Sequence, residues 1–231
     1  MTELFGPESM AVLGLSLRVA LTAVAISLPF GILAAWALAR WQFPGKLLLD
    51  GIIHIPLVLP PVVIGYGLLV LLGTQGVVGR WLGDVFGITL AFSWQGAALA
   101  AAVMAFPLLV RAVRLGFEAV DQRFELAART LGASPVDVFF SVSVPLALPG
   151  IMTGILLAFA RALGEFGATI TFVSNIPGET RTLPLAIYSA INVPGGEARA
   201  LSLVVIAVLI SLGAVLLSEV LARRMRRRLD A

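Results

Sequence analysis

Apolar and charged positions along this chain fall into long separate blocks. Stretches with no Asp, Glu, Lys or Arg occupy 19–39, 51–79, 85–110, 138–160 and 200–218. A helix needs about 20 largely apolar residues to cross the hydrocarbon of a bilayer, and each block is long enough. Adjusted to the nearest turn-forming or charged residues, the blocks predict transmembrane helices over 11–39, 51–73, 87–111, 144–173 and 200–221, the fourth with Arg161 and Glu165 inside it. The predicted fold class is therefore an all-α integral membrane bundle of five helices, a single domain over 1–231. Polar loops lie at 112–143 and 174–199. The first block has no basic flank and no A-x-A-like cleavage site, so it reads as a retained span and not as a signal peptide.

Composition agrees with this pattern. The chain is 59% hydrophobic and 13% charged, with a mean hydropathy of +1.02, whereas soluble domains are about 45–50% apolar and about 25% charged. Basic residues fix the expected orientation, because cytoplasmic loops are enriched in them. Arg40 and Lys46 follow the first span, Arg111, Arg114, Arg123 and Arg129 the third, and Arg223, Arg224, Arg226, Arg227 and Arg228 the fifth; the other side carries Arg80, Arg181 and Arg199. The carboxyl terminus and the 112–143 loop are expected in the cytoplasm and the amino terminus outside. A net charge of +3 calls for no nucleic acid, and the basic tail reads as an anchor against anionic headgroups. Arg18, near the outer end of the first span, is expected to snorkel.

Candidate chemistry is sparse. There is no cysteine and a single histidine, His54, which by itself makes no metal site and reads as a satisfied interfacial residue. No nucleophile elbow, HExxH or phosphate loop is present. An intramembrane enzyme would need a set of polar residues that the chain lacks, and no cofactor is expected.

The 111–137 segment collects Arg111, Arg114, Glu118, Asp121, Arg123, Glu125, Arg129 and Asp137. Asp121 is a helix cap, after which Phe124, Ala127, Ala128 and Leu131 recur at helical spacing as one apolar stripe. Gly132 ends that helix as a left-handed cap, Ser134-Pro135 begins another, and Asp137 falls in its first turn, where the dipole favours an anion. The stripe has two readings: it lies on the chain's own membrane domain, or it enters a groove on a cytoplasmic partner.

These residues also resemble the EAA loop of bacterial ABC-importer permeases. Ala127-Ala128, Gly132 four positions on and Val144-Pro145 thirteen beyond that match the pattern, with Glu125 one place earlier than usual. The resemblance implies that the loop is a coupling helix, with Phe124, Glu125, Ala127, Ala128, Leu131, Gly132, Ala133 and Pro145 engaging a separate ATPase subunit, the site of ATP binding. Longer matches at "HIPLVLPPVVIGYGLLV" (54–70), "ARALGEFGATITFVSNIPGETRTLP" (160–184) and "NVPGGE" (192–197) are similar to permease subunits of molybdate importers. They imply transport of molybdate, with tungstate, delivered by a periplasmic binding protein across a bacterial inner membrane. A sulfate or thiosulfate permease of the same architecture is the nearest alternative; a non-transporting scaffold is an alternative of another class.

Helix breakers recur at membrane depth: Pro29-Phe30-Gly31, Pro60-Pro61 with Gly65 and Gly67, Pro107, Pro149-Gly150 and 164–167. Such breaks are tolerated where neighbouring helices or a watery cavity satisfy the freed backbone. Arg161 and Glu165, four apart on one expected helix face, are either an internal pair holding the fold or part of the environment of a passing oxyanion. The resemblance places Pro60, Pro61, Arg161, Glu165, Phe166 and Gly167 at a pathway or gate. It places Pro177, Gly178, Asn192, Pro194 and Gly195, in the loop that encloses the short apolar stretch 183–191, where a binding protein docks. The bland reading of that loop is an interfacial helix. With five spans and no internal repeat, a homodimer with the pathway on its two-fold axis is expected above two ATPase subunits.

Overall fold

Prolines and small residues, more than the apolar blocks, set this architecture. The computed structural model describes residues 6–229, and within 215–229 only the side chain of residue 216. Helix α1 (Pro7–Arg40) passes through Pro29 unbroken. The chain turns at Gly45, φ +89°, into α2 (Lys46–Val58) and α3 (Pro61–Leu72), which meet at 112°. A short amphipathic helix α4 (Val77–Phe86) follows, then α5 (Trp94–Glu118), whose cap Ser93 accepts a hydrogen bond from the Gly96 amide. Next come α6 (Gln122–Thr130), α7 (Pro135–Val138), a π-helical turn (Phe139–Ser143), α8 (Val144–Leu146) and α9 (Leu148–Leu163). The chain finishes with α10 (Gly167–Val173), α11 (Leu183–Ile191) and α12 (Glu197–Leu229).

Three of these helices are long and apolar enough to cross a membrane, or up to five if each sharply bent pair counts as one span. The predicted spans are corrected in detail. The second, 51–73, is two helices, because a residue preceding proline is driven out of the α region and Leu59 and Pro60 both stand before one, at ψ 144° and 135°. The third begins at Trp94 and not at 87, since Gly87 and Phe92 have φ of +66° and +60°. The fourth, 144–173, is divided: the chain bends by 70° at Ala147 and breaks again between Leu163 and Gly167. The fifth is longer than expected, and the arginines at 223–228 lie on the part of α12 whose side chains fall outside the described residues. Helix α4 was not foreseen.

Helix α5 is the hub. Over its most apolar stretch it is 67% buried, against 39% for α1 and 17% for α12, and its buried residues include Ala97, Ala98, Ala100, Ala101, Ala102 and Ala105. In lipid the association of helices rests on van der Waals packing, which small residues favour by letting backbones approach. One close approach is between α5 and α9, where a Cβ on Gly150 would lie 2.4 Å from the Gly116 Cα. Gly154 lies against Val113 and Leu109, and Gly31 of α1 against Leu109 from the other side. Overpacking of this kind typically costs about 1–3 kcal/mol. Gly150→Ala should therefore lower the thermal midpoint of the detergent-purified protein by several degrees, whereas Gly14→Ala, whose Cβ meets nothing within 4 Å, should leave it unchanged.

Candidate coupling helix and pathway face

The segment between α5 and α9 is built by its caps. Asp121 accepts from the Arg123 amide at 2.9 Å to start α6. Gly132, at φ +92°, ends it in a Schellman pattern, with the Gly132 amide on the Arg129 carbonyl and the Ala133 amide on the Ala128 carbonyl. Ser134 and Asp137 form a reciprocal capping box at the start of α7. The π-helical turn then carries the chain to Pro145, which has no amide to give to a regular α-helical ladder.

Glu125 faces inward from α6. Its Oε1 accepts from Arg40 Nε at 3.0 Å, lies 3.0 Å from Arg40 Nη2 and accepts from Ser143 Oγ at 2.9 Å. Arg40 Nη2 also donates to the Val120 carbonyl at 3.1 Å. Both charged side chains are almost wholly enclosed, 8% and 11% exposed. Beside them Phe139 packs edge-on to Trp36 and Phe140 and stacks on Phe117, so the end of α1, the end of α5 and the π-helical turn close around the pair.

The apolar stripe of α6 faces the other way. Phe124 is 59% and Leu131 89% exposed, Ala127 is exposed, and Ala128 and Ala133 are half-buried. Of the two readings open in the sequence, packing of the stripe on the chain's own membrane domain does not occur. Arg40 and Ser143 were missed as partners of Glu125. They lie 85 and 18 residues from it, beyond any helical spacing, and the only signal was an arginine at the very end of a span.

The residues read as pathway or gate come together around the break between α9 and α10. Arg161 Nη1 lies 2.5 Å from Glu165 Oε2. Contrary to the shared helix face expected from the four-residue spacing, α9 stops at Leu163, before Glu165. Glu165 instead lies beyond the helix end and its Oε1 accepts from the Ala168 amide at 2.8 Å, a carboxylate at the start of α10, where the dipole favours it. A Cβ on Gly167 would lie 2.7 Å from Pro61 Cβ, and one on Gly65 would lie 2.6 Å from the Ala168 carbonyl. The bend at Pro60-Pro61 is thus pressed against α10. Phe166 lies against Tyr188 of α11, ring centroids 5.1 Å apart.

The residues read as docking positions, Pro177, Gly178, Asn192, Pro194 and Gly195, are all exposed, in two turns at opposite ends of α11. The turns use Gly178 at φ +79° and Gly195 at φ +76°. Helix α11 itself is held down: Leu183, Leu185, Ala186 and Ala190 are buried, and the Leu183 amide donates to Ser16 Oγ of α1. Arg181 Nε donates to Asn175 Oδ1, whose amide nitrogen donates to Ser189 Oγ.

Arg18 departs from expectation and His54 matches it. Arg18 has its guanidinium 3.7 Å above the Trp94 ring, a cation–π contact between α1 and α5 that snorkelling alone does not describe. His54 is satisfied, with Nδ1 2.8 Å from the Asp50 carbonyl. Asp50 Oδ2 in turn lies 3.2 Å from Arg114 Nη1, and Arg114 Nε donates to Glu118 Oε1 at 2.7 Å. The start of α2 is thereby tied to the end of α5. Among the described residues there is no group of three or more His, Cys, Asp or Glu side chains that could hold a metal ion.

The chain is 61% identical over 96% of its length, and 96% of the relative's, to the molybdenum transport system permease protein ModB of Escherichia coli (strain K12). It is 55% identical, over 94% of this chain and 95% of the other, to the ModB protein of Haemophilus influenzae. A probable sulfate transport system permease protein cysT of Nephroselmis olivacea is 37% identical over 80% of this chain and 65% of its own. Among solved structures, an inward-facing MetNI methionine ABC transporter chain matches the fold with a TM-score of 0.71, at 16% identity and 97% coverage of both chains. Residues 27–227 match the family described as binding-protein-dependent transport system inner membrane component. The fold, the broken apolar spans and this match over most of the chain together show that the protein belongs to the family of inner membrane permease components of binding-protein-dependent transport systems.

Proposed function

We propose that this chain is the permease subunit of an ATP-driven importer, forming the translocation pathway for molybdate, and for the isosteric tungstate, across a bacterial inner membrane. The observation that carries the reading is α6: its acid turns inward to a buried arginine while its apolar side chains turn outward. A helix anchored by its polar side and bare on its apolar side is suited to entering a groove on another subunit. That subunit is an ATPase, two copies of which serve a homodimer of this chain and bind the ATP. In this arrangement the coupling loop and the carboxyl terminus are cytoplasmic and the amino terminus periplasmic. The turns at Pro177-Gly178 and at 192–195 receive a periplasmic molybdate-binding protein. The choice of molybdate over sulfate rests on the greater identity to molybdenum permeases than to the sulfate permease.

The coupling is a difference in affinity of each ligand for two states of the permease. ATP closes the ATPase pair and draws the two α6 helices together; Arg40 transmits that motion to α1, and the π-helical turn transmits it to α9. The helix break at 164–166, flanked by Arg161, Glu165, Phe166 and Gly167, the last of them against Pro61 at the Pro60-Pro61 bend, is the part of the pathway that opens. Hydrolysis resets it.

Three outcomes are expected. In vesicles holding this chain with its ATPase and binding protein, ATP-dependent uptake of labelled molybdate should resist excess sulfate and vanish when the ATPase is omitted. Uptake abolished by sulfate would make the chain a sulfate permease, and no ATP-dependent uptake of either anion would contradict the transport reading. Gly132→Val has open space for its side chain but a φ that a β-branched residue resists, by about 1–2 kcal/mol. It should insert normally yet lose most ATP-driven uptake and much of its co-purification with the ATPase, and undiminished uptake would argue against the cap as part of the docking surface.

A further inference from the structure

Three cavities run along one side of the chain and share walls. One, of about 540 Å³, lies between α9, α11 and α12, with Leu157, Phe166 and Tyr188 among its lining residues. A second, of about 450 Å³, lies between α5 and α9 and has Leu157 again, with Thr153, Leu115 and Arg111. A third, of about 330 Å³, lies between α2 and α5 and has Leu115 and Arg111 again, with Asp50, His54, Arg114 and Glu118. Helix α1, packed on α5 and α9, contributes to none of them. The result is a track on the face away from α1, leading from the outer helix α11 to the end of α5 that feeds the coupling helix.

Nearly all of this track is apolar. Its charged lining residues are Asp50, Arg111, Arg114 and Glu118, gathered at the inner end. Arg114 takes both carboxylates, Asp50 at 3.2 Å and Glu118 at 2.7 Å. The His54 ring is engaged by the Asp50 carbonyl, and the Thr153 hydroxyl donates to the Pro149 carbonyl. Arg111, exposed and placed where the two inner cavities meet, makes no ion pair or side-chain hydrogen bond among the described residues. The two acids and two guanidiniums of this inner end sum to zero charge, and Arg111 is the guanidinium with no carboxylate contact among the described residues, its planar fork open to an oxyanion edge. An exposed guanidinium in a charge-balanced mouth holds a dianion weakly, and a conducting site has to release what it binds.

We propose that Arg111 is the inner-mouth contact for a tetrahedral oxyanion, and that the oxyanion is the transported one, which leaves the pathway past it. This rests on the transport reading above. A phospholipid phosphate has the same local chemistry, so the test must separate the two sources.

The experiment reconstitutes the whole complex, with ATPase and binding protein, in two kinds of vesicle, one wholly zwitterionic and one containing anionic phospholipid. Molybdate uptake and ATP hydrolysis are measured together for the wild type, Arg111→Gln and Arg111→Lys. Loss of one charge-assisted contact predicts uptake per ATP lowered about tenfold in Arg111→Gln, with stimulation of hydrolysis by the loaded binding protein unchanged, uptake largely restored in Arg111→Lys, and the same result in both vesicles. Wild-type uptake by Arg111→Gln would overturn the proposal. So would a parallel loss of uptake and of stimulated hydrolysis, which would make Arg111 part of the coupling between subunits. A defect confined to vesicles with anionic lipid would assign the contact to a headgroup instead. Absence of uptake by the wild type would overturn the transport reading itself, before Arg111 is at issue.

Discussion

The buried pair of Arg40 and Glu125 is the constraint around which the segment from the end of α5 to Pro145 is arranged. A nearly enclosed guanidinium and carboxylate are costly to separate, because removal of either leaves the other as an uncompensated buried charge. Here one oxygen of the acid accepts two hydrogen bonds, from Arg40 Nε and Ser143 Oγ, with Arg40 Nη2 also 3.0 Å from it, and Nη2 donates to the Val120 carbonyl. Four pieces of chain are fixed by these contacts: the end of α1, the turn after α5, helix α6 and the π-helical turn. The π-helical turn ends at Ser143, the residue that donates to Glu125, just ahead of Pro145. With its acid held inward, α6 can present Phe124, Ala127 and Leu131 only outward.

The membrane body follows a different rule. Its helices meet through alanine and glycine, and the approach of Gly116 to Gly150 leaves no room for a side chain on either. The segments nearest the expected pathway are short helices with breaks between them, at Pro60-Pro61 and at 164–166. Close packing makes α1, α5 and α9 a stiff unit, and the broken helices α3 and α10 are pressed together beside it through Pro61, Gly65 and Gly167. On the proposed reading, stiffness carries the motion of α6 upward and the breaks are where it is expressed.

Much of this was legible in the sequence, for physical reasons that can be named. Charge-free blocks locate membrane helices because the hydrocarbon excludes charge, and the caps at Asp121, Gly132 and Ser134 are local chemistry, readable from neighbouring residues. Helix continuity was less legible. Apolarity does not distinguish one span from two helices meeting at 112°, although Pro60-Pro61 marked the place. The four-residue spacing of Arg161 and Glu165 suggested a shared helix face, whereas the pair forms across a helix end, because Glu165 caps the next helix. Contacts distant in sequence were not legible at all: nothing local ties Arg40 to Glu125, or singles out Arg111 from Arg114 until the carboxylates are seen to have chosen Arg114.

Everything on the α6 side of the molecule rests on the Arg40–Glu125 pair holding that helix in place. Hydrogen exchange of the backbone amides of 122–131, compared between the wild type and Glu125→Ala, measures this. Breaking a buried pair typically costs about 3–5 kcal/mol, so these amides should exchange about a hundredfold faster or more in the variant, while those of α5 and α9 keep their protection. Unchanged exchange across 122–131 would contradict the account, because α6 would then be held by something other than its buried acid.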